Sequence, residues 1–228
     1  SINEPEEMAA DAAEVVQQGF SALKLKVGID SEKDIQRVKA IRDAVGNDMK
    51  IRLDANQGWE VDEAIDTIRK IEDLGFDVEL VEQPVKARDF DGMKKVKDNV
   101  NTIIMADESC FSPEDARRLL EMNAADVLNI KLMKCGGIYK ALQIIEIAEE
   151  FGVECMLGCM VESKISLTAA AHLAAAKKTI TRVDLDAAIL LKEDPVVGGF
   201  NKEIPWFTLG DSPGLGITDV IGMTDIEI

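Results

Sequence analysis

Lys24-Leu25-Lys26 puts two lysines on one face of any strand that contains them, because strand side chains alternate. Leu23, Leu25 and Val27 fall on the other face, as in a buried strand. Two ammonium groups on the inner face of a buried sheet are costly unless something uses them. Three later apolar runs each end in an acid: Asp54 in RLDAN, Glu82 in VEQP and Asp107 in ADES. One acid at a strand end often caps the next helix, but three on successive strands converge on one point and repel one another unless a cation lies between them. Three carboxylates without His or Cys suit a hard octahedral cation, Mg²⁺ or Mn²⁺. Lys131 ends the run NIK, and Asp184 and Asp186 in RVDLDA again alternate onto one face.

These groups need a scaffold that delivers them from successive strands. Strands are expected at Ala22–Val27, Lys50–Asp54, Glu79–Glu82, Ile103–Asp107, Val127–Lys131, Glu154–Gly158 and Ile180–Asp186, with amphipathic helices between. Val61, Ala64, Ile65, Ile68, Ile71 and Leu74 recur at helical spacing, and Gly75 closes that helix. Ser112-Pro113-Glu114-Asp115 starts another, while Gly19, Gly46 and Gly152 stop others. The strand ends at 26, 54, 82, 107, 131, 158 and 184 recur every 24 to 28 residues, the length of one strand–helix unit. This is the period of a parallel sheet with crossover helices, and seven units favour a (β/α)₈ TIM-type barrel over a doubly wound sheet. A helix at Glu4–Gln18, capped by Asn3, precedes the first strand, leaving only Ser1-Ile2 ahead of it. The expected fold is therefore a truncated barrel showing strands two to eight, with strand one largely missing. Residues 1–194 form the barrel and 195–228 a C-terminal segment.

In an eight-strand ring, strands two and six face each other, as do four and eight. Lys26 and Lys131 then flank a substrate from two sides. A divalent cation on a substrate carboxylate makes the α-proton more acidic by stabilising the enediolate. One lysine removes that proton and the other returns one to the opposite face, a 1,1-proton transfer that inverts the centre. To act as base Lys26 must be neutral, and Lys24 and the cation push its pKa down. Asp184 and Asp186 suit a free ammonium about one dipeptide away, ~7 Å when extended.

The series KxK, then D, E and D on successive strands, then KxxxGG resembles the muconate-lactonizing subgroup of the enolase superfamily. The added DxD resembles its dipeptide epimerases, from SINEPEEMAADA to SPGLGI. The resemblance implies Lys26 and Lys131 as the acid/base pair and Lys24 as the lysine that contacts the substrate carboxylate. It implies Asp54, Glu82 and Asp107 as Mg²⁺ ligands, and Asp184 and Asp186 as the ammonium site. Cys159, in Gly158-Cys159-Met160-Val161, falls where the family lines its substrate, though a buried inert thiol is an equal reading. The substrate implied is a dipeptide of the L-Ala-D/L-Glu type. Family members also carry an N-terminal capping domain, absent from this sequence, so a homo-oligomer or a chain supplying the missing strand and cap is expected. The alternatives are an o-succinylbenzoate synthase or N-acylamino acid racemase, whose substrates lack the ammonium that DxD would hold, and an inactive barrel fragment.

The remaining composition narrows the field. A net charge of −17 over 228 residues repels phosphate backbones, so no nucleic-acid partner is expected. The single histidine, His172, lies in an alanine-rich helix, which removes hydrolase schemes that need a histidine base. Cys110, Cys135, Cys155 and Cys159 show neither CxxC spacing nor a disulfide framework. No leader or membrane-length apolar run occurs, and the expected location is cytoplasmic. Trp59 reads as loop packing, the nine methionines as core filler, and Lys94, Lys95 and Lys97 as a solvated helix face. Gly136-Gly137 reads as a tight turn, and Gly214-Leu215-Gly216 lacks the context of a nucleotide loop.

Overall fold

In the computed structural model, which describes residues 2–223, α1 (Pro5–Gln17) is followed by seven strands with intervening helices. In chain order these are β1 (Ala22–Lys26), α2 (Ser31–Val45), β2 (Lys50–Asp54), α3 (Val61–Asp73), β3 (Val78–Glu82), α4 (Phe90–Asn99) and β4 (Ile103–Ala106). Then come α5 (Pro113–Glu121), β5 (Val127–Lys131), α6 (Leu132–Cys135), α7 (Ile138–Phe151), β6 (Glu154–Gly158), α8 (Lys164–Ala176), β7 (Ile180–Asp184) and α9 (Ala187–Leu190). The strands pair in parallel and in chain order from β1 to β7. The two edges approach each other, since Lys24 of β1 donates to Asp184 of β7 at 3.0 Å. The sheet is thus a TIM-type barrel curled around its axis, with β1 to β7 in barrel positions two to eight. No strand fills position one among the described residues, and Ser1 lies outside them.

Alternation explains why the strands bury what they do. Leu23, Leu25, Ile51, Leu53, Val81, Ile104, Leu128, Ile130 and Leu157 join the main core with Val38, Ile41, Ile68, Leu119 and Ile145 from the helices. Facing the axis is a separate cluster of Leu80, Met105, Val127 and Met156. Leu80 and Met156 lie two residues, Val127 four and Met105 one before the ends of their strands, so the apolar plug sits beneath the charged rim. Where the register shifts between β2 and β3, Glu79 takes Arg52 Nε at 2.6 Å and Arg182 Nε at 3.2 Å, an ion network inside the barrel.

Turn chemistry holds the rim. Ser112 caps α5 through the Asp115 N–H at 3.1 Å, and Asp30 caps α2 through the Lys33 N–H at 3.1 Å. Gly28, at φ 101°, lies against the Ala55 carbonyl, and a Cβ at Gly58 would collide with the Gly28 backbone. Only glycine permits this approach, which draws the loop after Lys26 onto the loop after Asp54.

Several expectations are corrected. Asn3 is not the cap of α1: Glu4 occupies that position with Pro5 opening the helix, and the Asn3 carbonyl accepts from Arg37 Nε at 2.8 Å. Leu74 is 56% exposed, because the helix has already ended at Asp73. Lys97 is only partly solvated: its side chain is 15% exposed and reaches Asp126 at 3.1 Å and Asn123 Oδ1 at 3.0 Å. Met133, Met160 and Met223 are exposed rather than core filler. Beyond the barrel, β8 (Val196–Gly198) pairs with β11 (Ile217–Val220), and β9 (Asn201–Glu203) with β10 (Trp206–Thr208), both antiparallel. Phe200 stacks on Phe207 at 4.3 Å and packs with Leu167 of α8 and Ala187 of α9. The end of the segment, 224–228, lies outside the described residues. No helix among the described residues is long and apolar enough to cross a membrane.

Candidate active site

Lys24 Nζ stands between acids from three strands: Asp54 Oδ2 at 3.0 Å, Glu82 Oε2 at 2.8 Å and Asp184 Oδ2 at 3.0 Å. Burial works against its charge, but the fields of Glu82, Asp184 and Asp54 outweigh it and raise its pKa above lysine's ordinary value. Lys26 Nζ, one step nearer the rim, donates to Asp54 Oδ2 at 2.6 Å and Asn56 Oδ1 at 2.8 Å.

Glu82 is fully buried and accepts from Asn129 Nδ2 at 2.7 Å. Burial, with Asp54 and Asp107 nearby, pushes its carboxyl up to about 7 in spite of Lys24. Asp107 lies just past β4 and meets Lys131 Nζ at 2.7 Å and Lys134 Nζ at 2.5 Å. Burial alone would raise its pKa; Lys134 and Lys131 reverse that and hold it below the ordinary carboxylate range. Asp107 conversely overcomes the burial of Lys131 and raises that lysine's pKa.

The expected strand through Asp186 stops at Asp184, and Asp186 instead caps α9 in helical backbone. The two acids therefore do not share a strand face. Asp184 turns inward to Lys24, while Asp186 is exposed and accepts from Cys159 Sγ at 3.5 Å. Burial, with Asp186 and Asp184 close by, pushes the Cys159 thiol up to about 12, so it stays protonated at neutral pH. A cavity of about 300 Å³ opens at the strand ends, with Lys26, Asp107, Lys131, Cys159 and Asp186 in its wall. Asp54, Glu82, Lys24 and Asp184 are not in the wall; Lys24 links the three acids, and Asp54 meets Lys26 of the wall at 2.6 Å. Trp59 is buried in the core, as loop packing requires.

Among the described residues no three His, Cys, Asp or Glu side chains form a ready metal cage. Ammonium groups separate the acids instead: Lys24 between Asp54 and Glu82, Lys131 and Lys134 on Asp107. Even so, Glu82 Oε2 and Asp107 Oδ1 are buried acceptors met by lysine ammonium groups, Lys24 at 2.8 Å and Lys134 at 2.5 Å, so each already faces positive charge. Such acceptor-only oxygens, supplied by carboxylates alone, fit a hard divalent cation.

Sequence reasoning passed over the residues that orient these groups. Asn129 shares the inner face of β5 with Lys131, two residues away, and that period was the available signal. Lys134, beside the Gly136-Gly137 turn, also donates to the Asp107 carbonyl at 2.5 Å and the Asn129 carbonyl at 2.9 Å. Gln83 is fully buried and ties the Asp107 N–H, the Ser109 N–H and Ser109 Oγ together at 3.0, 3.0 and 2.8 Å. Asn56 at φ 43° and Gln83 at φ 40° take left-handed backbone where their strands end, which composition does not reveal.

Lysines and carboxylates gathered on the C-terminal ends of parallel strands define a TIM-type barrel domain with its site at the usual rim. The chain belongs to the family described as Enolase C-terminal domain-like, which its residues 7–219 match. It is 53% identical over 220 residues to an L-Ala-D/L-Glu epimerase of Clostridium acetobutylicum, covering 96% of this chain and 62% of that protein. It is 56% identical over 219 residues to a hydrophobic dipeptide epimerase of Enterococcus faecalis, covering 95% of this chain and 61% of that protein. A crystal structure of dipeptide epimerase from Enterococcus faecalis V583, complexed with Mg and the dipeptide L-Leu-L-Tyr, superposes with a TM-score of 0.93 at 55% identity. That match covers 96% of this chain and 62% of the other. The chain thus spans about three fifths of the length of the curated relatives it matches.

Proposed function

We propose that the full-length protein carrying this chain is a divalent-cation-dependent dipeptide epimerase. The observation that carries the reading is the pair Lys26 and Lys131, from opposite strands of the barrel, in the wall of one cavity. A planar carbanion between two lysines can be protonated from either side, which is what inversion of a stereocentre requires. Asp54, Glu82 and Asp107 would hold Mg²⁺ or Mn²⁺. When bound, that cation supplies positive charge beside a substrate carboxylate and lowers the α-proton's pKa.

The chain's own groups do the rest. Lys26 or Lys131, as a neutral amine, takes the α-proton on its Nζ lone pair. The facing lysine, as an ammonium, gives a proton to the other side of the same carbon. Asp184 already holds an ammonium, that of Lys24, which supports its use for the amino end of a dipeptide, with Asp186 at the cavity wall beside it. Cys159, a neutral thiol in the same wall, can contact substrate without competing as a base.

The test is solvent exchange. In D₂O with Mg²⁺, NMR of L-Ala-L-Glu and a panel of other dipeptides should show deuterium entering the α-position of the C-terminal residue. No exchange in any dipeptide by the full-length protein would reject the reading. Asp184→Asn with Asp186→Asn should suppress exchange; unaffected turnover would point to an N-acylated substrate without an ammonium.

A further inference from the structure

Lys26 is aimed by a chain of contacts that crosses over the end of β3. Its Nζ donates to Asn56 Oδ1 at 2.8 Å, and Asn56 Nδ2 donates to Glu108 Oε1 at 3.1 Å. The Asn56 N–H donates to Asp54 Oδ1 at 3.0 Å, which fixes the backbone beneath the side chain. Asn56 follows β2 and Glu108 follows β4, so the link joins two loops on either side of Glu82. Asn56 and Glu108 both lie in the cavity wall with Lys26, and Glu108 Oε2 is buried with no donor.

A carboxamide has one accepting end and one donating end, and nothing intrinsic decides which faces which neighbour. Glu108 Oε1 accepts from Asn56 Nδ2, so the NH₂ end of the amide faces Glu108. The accepting oxygen is then left for Lys26. We propose that Glu108 is a positioning residue: through Asn56 it holds the Lys26 amine in the orientation from which it exchanges a proton with substrate. This rests on the epimerase reading for its consequence in catalysis, but the orientation itself does not. With Gln at position 108 the amide can turn over, presenting an N–H to Lys26 in place of an acceptor.

Two readouts separate the claims. Full-length protein carrying ¹³Cε-labelled lysine gives a Lys26 signal, assigned by its loss in Lys26→Met. Glu108→Gln and Asn56→Ala should each shift that signal, and the double variant should shift it no further than Asn56→Ala alone. Additive shifts, or none in Glu108→Gln, would overturn the proposal without touching the epimerase reading. The second readout is α-proton exchange in D₂O, started separately from each epimer of a dipeptide substrate. Misplacing Lys26 should slow exchange of the epimer whose α-hydrogen faces it by on the order of 10–100-fold. Exchange of the other epimer, through Lys131, should persist without inversion. Equal slowing of both would mean a general structural effect and would overturn the assignment. If the lysine signals behave as expected but the unmodified protein exchanges neither epimer, the positioning of Lys26 stands and the epimerase reading fails.

Discussion

Replacing Lys24 by Met tests what holds the acids together. The ammonium is within 3.0 Å of three carboxylates, and its side chain is 19% exposed against 0% for Asp54 and 1% for Glu82. Methionine keeps the volume and removes the charge, leaving buried carboxylates without their shared cation. Loss of one partner from a buried pair costs about 3–5 kcal/mol. For a domain of this size that corresponds to a Tm drop of roughly 2–4 °C per kcal/mol. The cost depends on pH, because Glu82, at about 7, can take up a proton and escape it. The raised folded pKa of Glu82 means that its contribution to stability is present below the unfolded value of about 4.5 and lost as pH rises through about 7. Lys24→Met raises that pKa further, so the variant should be most destabilised at pH 8 and much less at pH 5. A divalent cation held by Asp54 and Glu82, as proposed, would compete with Lys24 for them, so Mg²⁺ should stabilise the variant more than the wild type. At 100 times its Kd, bound cation adds about 2.7 kcal/mol. Thermal unfolding with chelator and with Mg²⁺, at pH 5 and pH 8, measures all of this. Equal Tm values at pH 8 in chelator, or equal gains from Mg²⁺, would refute the argument that lysine and cation share these carboxylates.

Three further outcomes follow from particular contacts. A Cβ on Gly158 would come within 2.6 Å of Asn129 Oδ1 and 3.2 Å of Lys131 Cε, so Gly158→Ala should lower kcat at least tenfold while costing about 1–3 kcal/mol in urea unfolding. Unchanged kcat would mean that Lys131 has freedom the structure does not give it. Asn129→Leu strips the donor from Glu82 Oε1 and should weaken Mg²⁺ binding about 10-fold by calorimetry; undiminished affinity would remove Glu82 from the ligand set. Burial raises the carboxyl of Glu79, but Arg52, Arg182 and Lys50 outweigh it and depress its pKa. Its contribution is therefore present above the unfolded value of about 4.5 and lost as pH falls through the lower folded one. Urea unfolding of Glu79→Gln between pH 7 and pH 3 should show a smaller loss on acidification than wild type.

The barrel was legible because two periods coincide. Leu23, Leu25 and Val27 alternate with Lys24 and Lys26, and the same change of face recurs every 24 to 28 residues, so the strand ends could be located without the turns. What alternation did not reach is where the chain leaves regular geometry. Asp186 lies two residues past the end of β7, and helical backbone there carries it away from the face it would have shared with Asp184. Glu79 enters the barrel only because the register slips beside it. Asn56, Gln83, Asn129 and Lys134 escaped notice for another reason: amides and lysines at strand ends also serve as caps and solvated surface, and only the partner across space distinguishes the roles.

That division bears on specificity. The groups that would move a proton are delivered by strands whose register is fixed by a buried core, from Leu53 and Val81 through Leu128 and Leu157. Around the cavity mouth the surface is different: Met160 is 48% exposed, Leu190 63% and Val161 70%, all three in the cavity wall. Apolar side chains left open beside a charged site are suited to contact a substrate's side chains or the rest of the full-length protein. Two relatives at 53% and 56% identity are named for different dipeptides, so likeness over this stretch does not decide which side chains are accepted. For the proposed epimerase, the choice of dipeptide should therefore change when residues 160, 161 and 190 change, while the proton transfer proposed for Lys26 and Lys131 continues. Met160→Ala and Leu190→Ala, assayed on the same dipeptide panel, should reorder kcat/KM among substrates; a uniform drop across the panel would place specificity elsewhere.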